Sequence, residues 1–219
     1  MIDALITESA ELLARIFPGD SELAARMRAH DWAATELGTP STWPENLRVA
    51  LGICLTSKFP MHILWGASLT LFYNDAYVSL LGPGKHPAAL GRSGREAWAE
   101  VWQTVGPMVD AVRATKQASW SADIRMYFAR RLPKEEVYLT FSLSPVLGAN
   151  GVDGVFCACT ESTQKVVGTR RLEALRLLGI RATTAQTIDG ACNTSADVLT
   201  NHACDVPFAA IYIIEGSVA

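Results

Sequence analysis

The sequence predicts an α+β domain built on one five-stranded antiparallel sheet, and three observations carry that expectation. Apolar residues at strand spacing occupy 61–65 and 69–73, on either side of the turn Gly66-Ala67-Ser68, which is the spacing of a hairpin. Helical patterns fill the interval from there to Thr115. Three longer alternating segments, beginning at Trp120, Val137 and Val152, then succeed one another through short turns, and strands joined so closely must pair antiparallel.

Each element has a local reason. Leu5, Leu12, Leu13, Ile16 and Phe17 fall at helical spacing before the stop Pro18-Gly19-Asp20-Ser21, and a second short helix spans Glu22 to His30. Pro44 suits the first turn of a helix whose Leu47, Leu51 and Leu55 mark one face, ending near Lys58 to Pro60. After the hairpin, Asn74 or Asp75 caps a short helix from Ala76 to Leu81, closed by Gly82-Pro83-Gly84. Glu96 to Val101 and Pro107 to Thr115 read as two further helices joined through Gly106.

Trp120, Ile124, Met126 and Phe128 alternate with Ser121, Asp123, Arg125 and Tyr127, which predicts a strand with one buried face. A charged turn, Arg130 to Glu136, leads to Val137, Leu139, Phe141 and Leu143 on the next strand, and Ala149-Asn150-Gly151 to a third strand from Val152 to Thr160. Beyond Thr163, Val167, Leu172, Leu175, Leu178, Ala182 and Ala185 share one helical face. A weakly amphipathic stretch then reaches an apolar strand, Pro207 to Ile214. A lone strand cannot satisfy its own backbone groups, so this portion reads as the opening of a second domain. The expected organisation is a helical segment over 1–30, the α+β domain over 31–163, a connecting helix over 164–186 and an incomplete domain over 187–219.

The chain has 219 residues, 49% hydrophobic and 19% charged, which places it with folded proteins. A net charge of −3 without a dense basic block gives nucleic acid or an anionic membrane surface no electrostatic footprint. The N-terminus lacks the positive start of a signal peptide, and apolar runs such as His62 to Asn74 fall short of a membrane span, so membrane insertion is not expected. Five cysteines, an odd number without a CxxC pair, suit a reducing cytoplasm.

The segment Trp65-Gly66, Leu69, Tyr73-Asn74-Asp75-Ala76-Tyr77, Lys85-His86-Pro87 and Leu90-Gly91 resembles the PAS sensor domains that precede GAF domains in bacterial sensor histidine kinases. Asp31-Trp32, Leu37-Gly38 and Trp43-Pro44 resemble the family's lead-in, and Glu161-Ser162-Thr163 its exit from the last strand. Arg170-Arg171-Leu172 resembles a signalling helix, and Asp205 to Ala209 the first strand of a GAF domain. Coverage runs from about Glu22 to the end, with Lys116 standing where the family pattern has glycine. The resemblance implies a PAS fold, GAF and kinase modules downstream and a homodimer. The phospho-acceptor histidine helix and the ATP lid are not found in the sequence, so kinase chemistry is not expected here.

A PAS cavity would hold a small molecule, and the residues expected to line it are Trp65, Tyr73, Asn74, Trp98, Trp120, Phe141 and Cys157. A closed core would use the same residues. Glu161 and Thr163 are expected to tie the sheet to the following helix, with Arg170 and Arg171 available to acids of a neighbour and Leu175 and Leu178 facing a dimer partner. The N-terminal stripe Leu5, Leu12, Ile16 and Phe17 would pack across the same dimer, or fold back on its own sheet. Cofactor identity stays open. Covalent flavin photochemistry of the LOV type is not expected, because no cysteine lies between Asp75 and Trp120, and the histidine that a haem-binding PAS domain would want is missing from 107–115.

His30, His62, His86 and His202 are scattered, without a second ligand at metal spacing, so a metal site is not expected. Cys157 and Cys159 share one face of their strand and read first as small buried hydrophobes, second as a redox pair. Gly82 to His86 lacks the serine or threonine of a phosphate loop. Adjacent Glu135 and Glu136 point to opposite sides and cannot form an acid-base dyad. Sensory relay is therefore the leading reading. A dimerisation scaffold with a filled core and a small α+β cone enzyme are the alternatives.

Overall fold

The computed structural model describes residues 10–214, which form two compact units, one ending at Thr163 and the other starting at Gln164. In the first unit, residues 10–16 are helical (α1) and Ser21 caps α2 (Glu22–Ala29), its hydroxyl accepting from the Ala24 N–H at 3.2 Å. Pro44 precedes α3 (Glu45–Thr56), followed by β1 (Met61–Trp65), β2 (Thr70–Tyr73), α4 (Val78–Leu81), α5 (Gly94–Ala97) and α6 (Trp102–Thr115). The strands β3 (Ser119–Phe128), β4 (Glu135–Gly148) and β5 (Gly151–Glu161) complete one sheet of order β2-β1-β5-β4-β3, antiparallel throughout. A five-stranded antiparallel sheet flanked by helices is the PAS fold that the resemblance implied.

Strand register sorts the core into two layers. His62 faces Tyr73 on β2 and Cys157 on β5, while Leu143 on β4 faces Cys157, so these side chains share one side of the sheet. Ile63, Phe72 and Phe156 take the other side. There, Phe72 meets Trp32 and Trp43 at ring separations of 5.1 and 5.6 Å, and Trp32 stacks on Phe17 at 6.2 Å. Trp32 Nε1 donates to the Met27 carbonyl at 2.7 Å, which satisfies the indole inside the apolar layer. Ile16, Phe17, Leu23 and Met27 belong to this core, so the expected separate segment over 1–30 is continuous with the domain where it is described. That also corrects the dimer role of Ile16 and Phe17, which pack into their own chain; Leu5 lies outside the described residues.

The helices expected over Glu96 to Val101 and Pro107 to Thr115 are corrected to the short α5 and one continuous α6 that runs through Gly106-Pro107. Proline at this point denies the Gln103 carbonyl its helical donor, and Gln103 is exposed, so water can replace it. Gly106 is required by Trp102: a Cβ there would come within 2.6 Å of the indole Nε1. Lys116 closes the helix in the left-handed region at φ 60°, the conformation for which glycine was expected.

In the second unit, α7 (Thr163–Thr184) continues directly from the first, and α8 (Ile188–Asn201) is capped by Thr187, whose hydroxyl accepts from the Gly190 N–H at 3.0 Å. The strand expected over Pro207 to Ile214 does not form: 208–214 are without regular structure, with Tyr212 87% exposed. Its β-branched and aromatic residues favour extended chain, but a strand is held by a neighbour's hydrogen bonds.

Candidate functional site

The cavity face of the sheet, with Trp98 and Val101 between α5 and α6 and Val105 of α6 standing over it, carries a half-open void of about 30 Å³. His62, Tyr77, Trp98, Phe141, Cys157 and Cys159 are among its walls. Drug-sized ligands and cofactors occupy roughly 300–1,000 Å³, whereas a single water needs only some 10–15 Å³ of such space. The void as it stands matches an ion, a water or a diatomic molecule in size.

His62 is the polar centre of this apolar face. Its ring lies 4.6 Å from Trp98 and 4.8 Å from Tyr77, and burial drives its pKa down to about 3, so the imidazole is neutral at physiological pH. Its Nδ1 is buried and has no hydrogen-bond partner among the described residues. Burial also pushes the Cys157 thiol well above its usual range, reinforced by a hydrogen bond with Cys159. The ligating atoms of His62, Cys157 and Cys159 lie within 4.8 Å of one another. The expectation of no metal site rests only on spacing along one element, where His62 indeed has no second ligand. The neighbours come from the facing strand, 95 and 97 positions away in the sequence, and spacing along a single element cannot reveal them.

Trp98, Phe141 and Cys157 line the cavity, and the other residues expected there have different tasks. Trp65 lies on the opposite side of the sheet from His62 and packs over Gly154, where a Cβ would come within 2.5 Å of its ring. Tyr73 is buried beside β1, its hydroxyl 3.0 Å from His86 Nδ1, and burial raises its pKa to about 12. His86 Nε2 in turn lies 3.2 Å from Glu22.

Asn74 is a structural staple. Its Nδ2 donates to the carbonyls of Cys54, Ser57 and Phe59 at 3.0, 3.2 and 2.7 Å, and its Oδ1 accepts from the Met61 and Tyr77 amides, both at 3.1 Å. That amide has no capacity left for a ligand.

Trp120 is 70% exposed on the outer side of the sheet. It pairs with Ser142, Ser121 pairs with the inward Phe141, and Ile124 pairs with the inward Leu139. Three residues on β3 thus span two on β4, a bulge at Asp123 with φ 49°, and the extra residue reverses the parity of everything before it.

At the far end of β5, Glu161 receives Arg130 through Nη1 at 2.9 Å, and the same guanidinium reaches Glu135 at 2.8 Å. Burial pushes the Glu161 carboxyl up, but hydrogen bonds from Arg130 and Thr163 outweigh it and hold the pKa below the usual range. The Thr163 hydroxyl donates to Glu161 at 2.7 Å and accepts the Tyr138 amide at 3.0 Å, so the first residue of α7 is tied to β4 and β5. Within the second unit, Arg170 and Arg171 both bond Asp205, at 3.0 and 3.1 Å; Arg170 is thereby engaged by an acid of its own chain, while the Arg171 side chain is 65% exposed. Leu175 is 65% exposed and Leu178 half-buried.

No protein-family profile and no curated protein matches the sequence. Among solved structures, the chain is similar to an RNA-binding light-oxygen-voltage receptor, at 21% identity and TM-score 0.43, over 67% of this chain and 42% of that one. It therefore spans less than half of that receptor's length. It is also similar to the LOV protein of Rhodobacter sphaeroides, at 14% identity and TM-score 0.43, over 74% of this chain and 97% of that one. The PAS domain of Bordetella pertussis BvgS shows 15% identity and TM-score 0.44, over 61% of this chain and 98% of that one. The strand order and antiparallel pairing are what define the fold here.

Proposed function

We propose that this chain is a sensory input and signal-relay module without catalytic activity of its own. One observation carries the reading. A single strand, β5, holds Cys157 and Cys159 in the cavity wall and ends two residues on at Glu161, which bonds Thr163, the first residue of α7. A change in the cavity that shifts β5 acts on the Arg130–Glu161 pair and the Thr163 bonds, and so on the first turn of the helix. The relay is a population shift, and its ligand must favour one arrangement over the other. The exposed stripe containing Leu172 and Leu175 suits a homodimer in which α7 pairs with its copy, passing the change to GAF and kinase modules of a longer bacterial sensor in the reducing cytoplasm.

The test is to crowd the cavity and read the helix. Cys157→Val adds about one methyl group to a void of about 30 Å³. Amide exchange over 163–170 is expected to change several-fold while α2 and α3 keep their protection. Unchanged exchange in a folded variant refutes the relay. The small void favours one second reading, a dimerisation scaffold with a filled core, and that reading gains from the same negative result.

A further inference from the structure

We propose that His62, Cys157 and Cys159 bind one zinc ion through an imidazole nitrogen and two thiolates. The proposal deepens the sensory reading by naming the class of ligand, and rests on that reading for its purpose alone. Its chemistry stands on four observations of the cavity.

The first is donor identity. Two thiols and an imidazole select soft or borderline cations such as zinc and exclude magnesium and calcium, which want oxygen ligands. The second is separation. The three ligating atoms lie within 4.8 Å of one another, and bonds of about 2.0–2.3 Å around a tetrahedral zinc place its ligands roughly 3.5–4 Å apart. Closing that difference takes under about 1 Å of side-chain movement at each position.

The third is the buried His62 Nδ1 without a hydrogen-bond partner among the described residues. Such a group is costly to keep, and coordination through Nδ1 would satisfy it. The fourth is size: a void of about 30 Å³ matches an ion with one water completing the coordination.

Charge decides which cation. Binding is the exchange of two thiol protons for the metal: Zn²⁺ plus two thiols and a neutral imidazole gives the zinc dithiolate and two protons released to solvent. The product is neutral, as an apolar enclosure requires, whereas monovalent copper on the same two thiolates would leave a buried negative charge. The β1–β5 register creates the site by setting His62 opposite Cys157, with Cys159 two residues further on the same face. The Cys159 N–H donates to the Pro60 carbonyl at 3.0 Å, which fixes that strand end against the lead into β1.

The experiment uses the full chain, reduced and stripped of metal. Cobalt(II) is titrated first as a spectroscopic stand-in. The expected result is a thiolate-to-cobalt charge-transfer band with intense visible d–d bands, saturating at one equivalent, bleached by zinc and accompanied by two protons released per metal in weak buffer. Cys157→Ala or Cys159→Ala should weaken zinc binding by more than the roughly 10–100-fold that loss of an outer partner costs, while Cys192→Ser with Cys204→Ser leaves it unchanged. X-ray absorption of the wild-type zinc form should show two sulfur scatterers, which decides the matter even if a cavity variant fails to fold. An absent charge-transfer band, a band that survives the folded Cys157→Ala, Cys159→Ala variant, or a first shell without sulfur overturns the site. Failure here leaves the sensory reading to another small ligand. Zinc binding that leaves exchange over 163–170 unchanged upholds the site and removes zinc as the signal.

Discussion

Replacing Asn74 separates a structural amide from a ligand contact, because alanine and aspartate fail there for different reasons. Asn74→Ala removes the donor to three carbonyls and the acceptor of two amides. The Tyr77 amide keeps the Asn74 carbonyl at 3.0 Å, and the Cys54 carbonyl keeps the Ser57 amide at 3.4 Å. The groups left without that partner are the Met61 amide and the carbonyls of Ser57 and Phe59. At about 1–3 kcal/mol for each buried group left unpaired, and with water able to reach the exposed Phe59, the cost is about 2–4 kcal/mol. A domain of this size loses about 2–4 °C of melting temperature per kcal/mol, so the fall is roughly 5–15 °C.

Asn74→Asp keeps the acceptor but sets a buried carboxylate against three carbonyl oxygens. At neutral pH it should cost at least as much as alanine. Its pKa in the folded state is raised by burial and by those carbonyls, so the penalty is full above that value and falls as acid protonates the group. Thermal melts of both variants from neutral to acid pH check this. An Asn74→Asp variant within about 1 kcal/mol of wild type at neutral pH would refute the assignment.

Four further outcomes follow from named contacts. Lys116→Gly relieves a left-handed residue at φ 60° and should raise stability by about 0.5–1 kcal/mol in a denaturant titration. Trp120→Ser should stay within about 0.5 kcal/mol of wild type, whereas Trp98→Ala, buried beside His62, should cost about 3–5 kcal/mol. Arg130 hydrogen bonds hold Glu135 below the usual carboxylate range, and they outweigh burial to do the same for Glu161; stability from these depressed groups is full above the unfolded pKa and lost as pH falls through the folded ones. Arg130→Ala should therefore flatten the loss of stability between about pH 5 and about pH 3 in pH-resolved melts. Leu175→Glu with Leu178→Glu should convert a dimer to a monomer by light scattering, with circular dichroism retained; a variant that stays dimeric removes α7 from the interface.

The parts of the fold legible in the sequence are those decided by neighbours in the chain. Ser21 caps α2 with its own hydroxyl, Asn74 accepts the Tyr77 amide, and Cys157 and Cys159 share a face because a strand alternates. Trp120 was not legible. Its alternation with Ile124, Met126 and Phe128 is intact in the sequence, and one extra residue at Asp123 reverses its side of the sheet. Asp123 carries the only local trace of that bulge, since aspartate tolerates positive φ better than most residues, and a lone aspartate in a strand seldom marks one. Pro207 to Ile214 fails for the complementary reason. Extended preference resides in the segment, while a strand's hydrogen bonds reside in its neighbour.

His62 and Asn74 show how the same non-local information inverts a functional reading. Asn74 sits at the corner where a ligand contact is expected, yet α3 and the chain entering β1 deliver three carbonyls to its amide and consume it. His62 stands in a run of apolar residues and lacks partners on its own strand, yet the order β2-β1-β5 brings two thiols to it and leaves Nδ1 unbonded. A buried polar group with every bond made is part of the scaffold. One with a bond left over, beside soft donors and a space the size of an ion, is where the zinc proposal places its ligand. Under the proposed relay, a change at His62 would pass to Cys157 across the β1–β5 pairing and then along the β5 backbone to Glu161 and Thr163 at the base of α7.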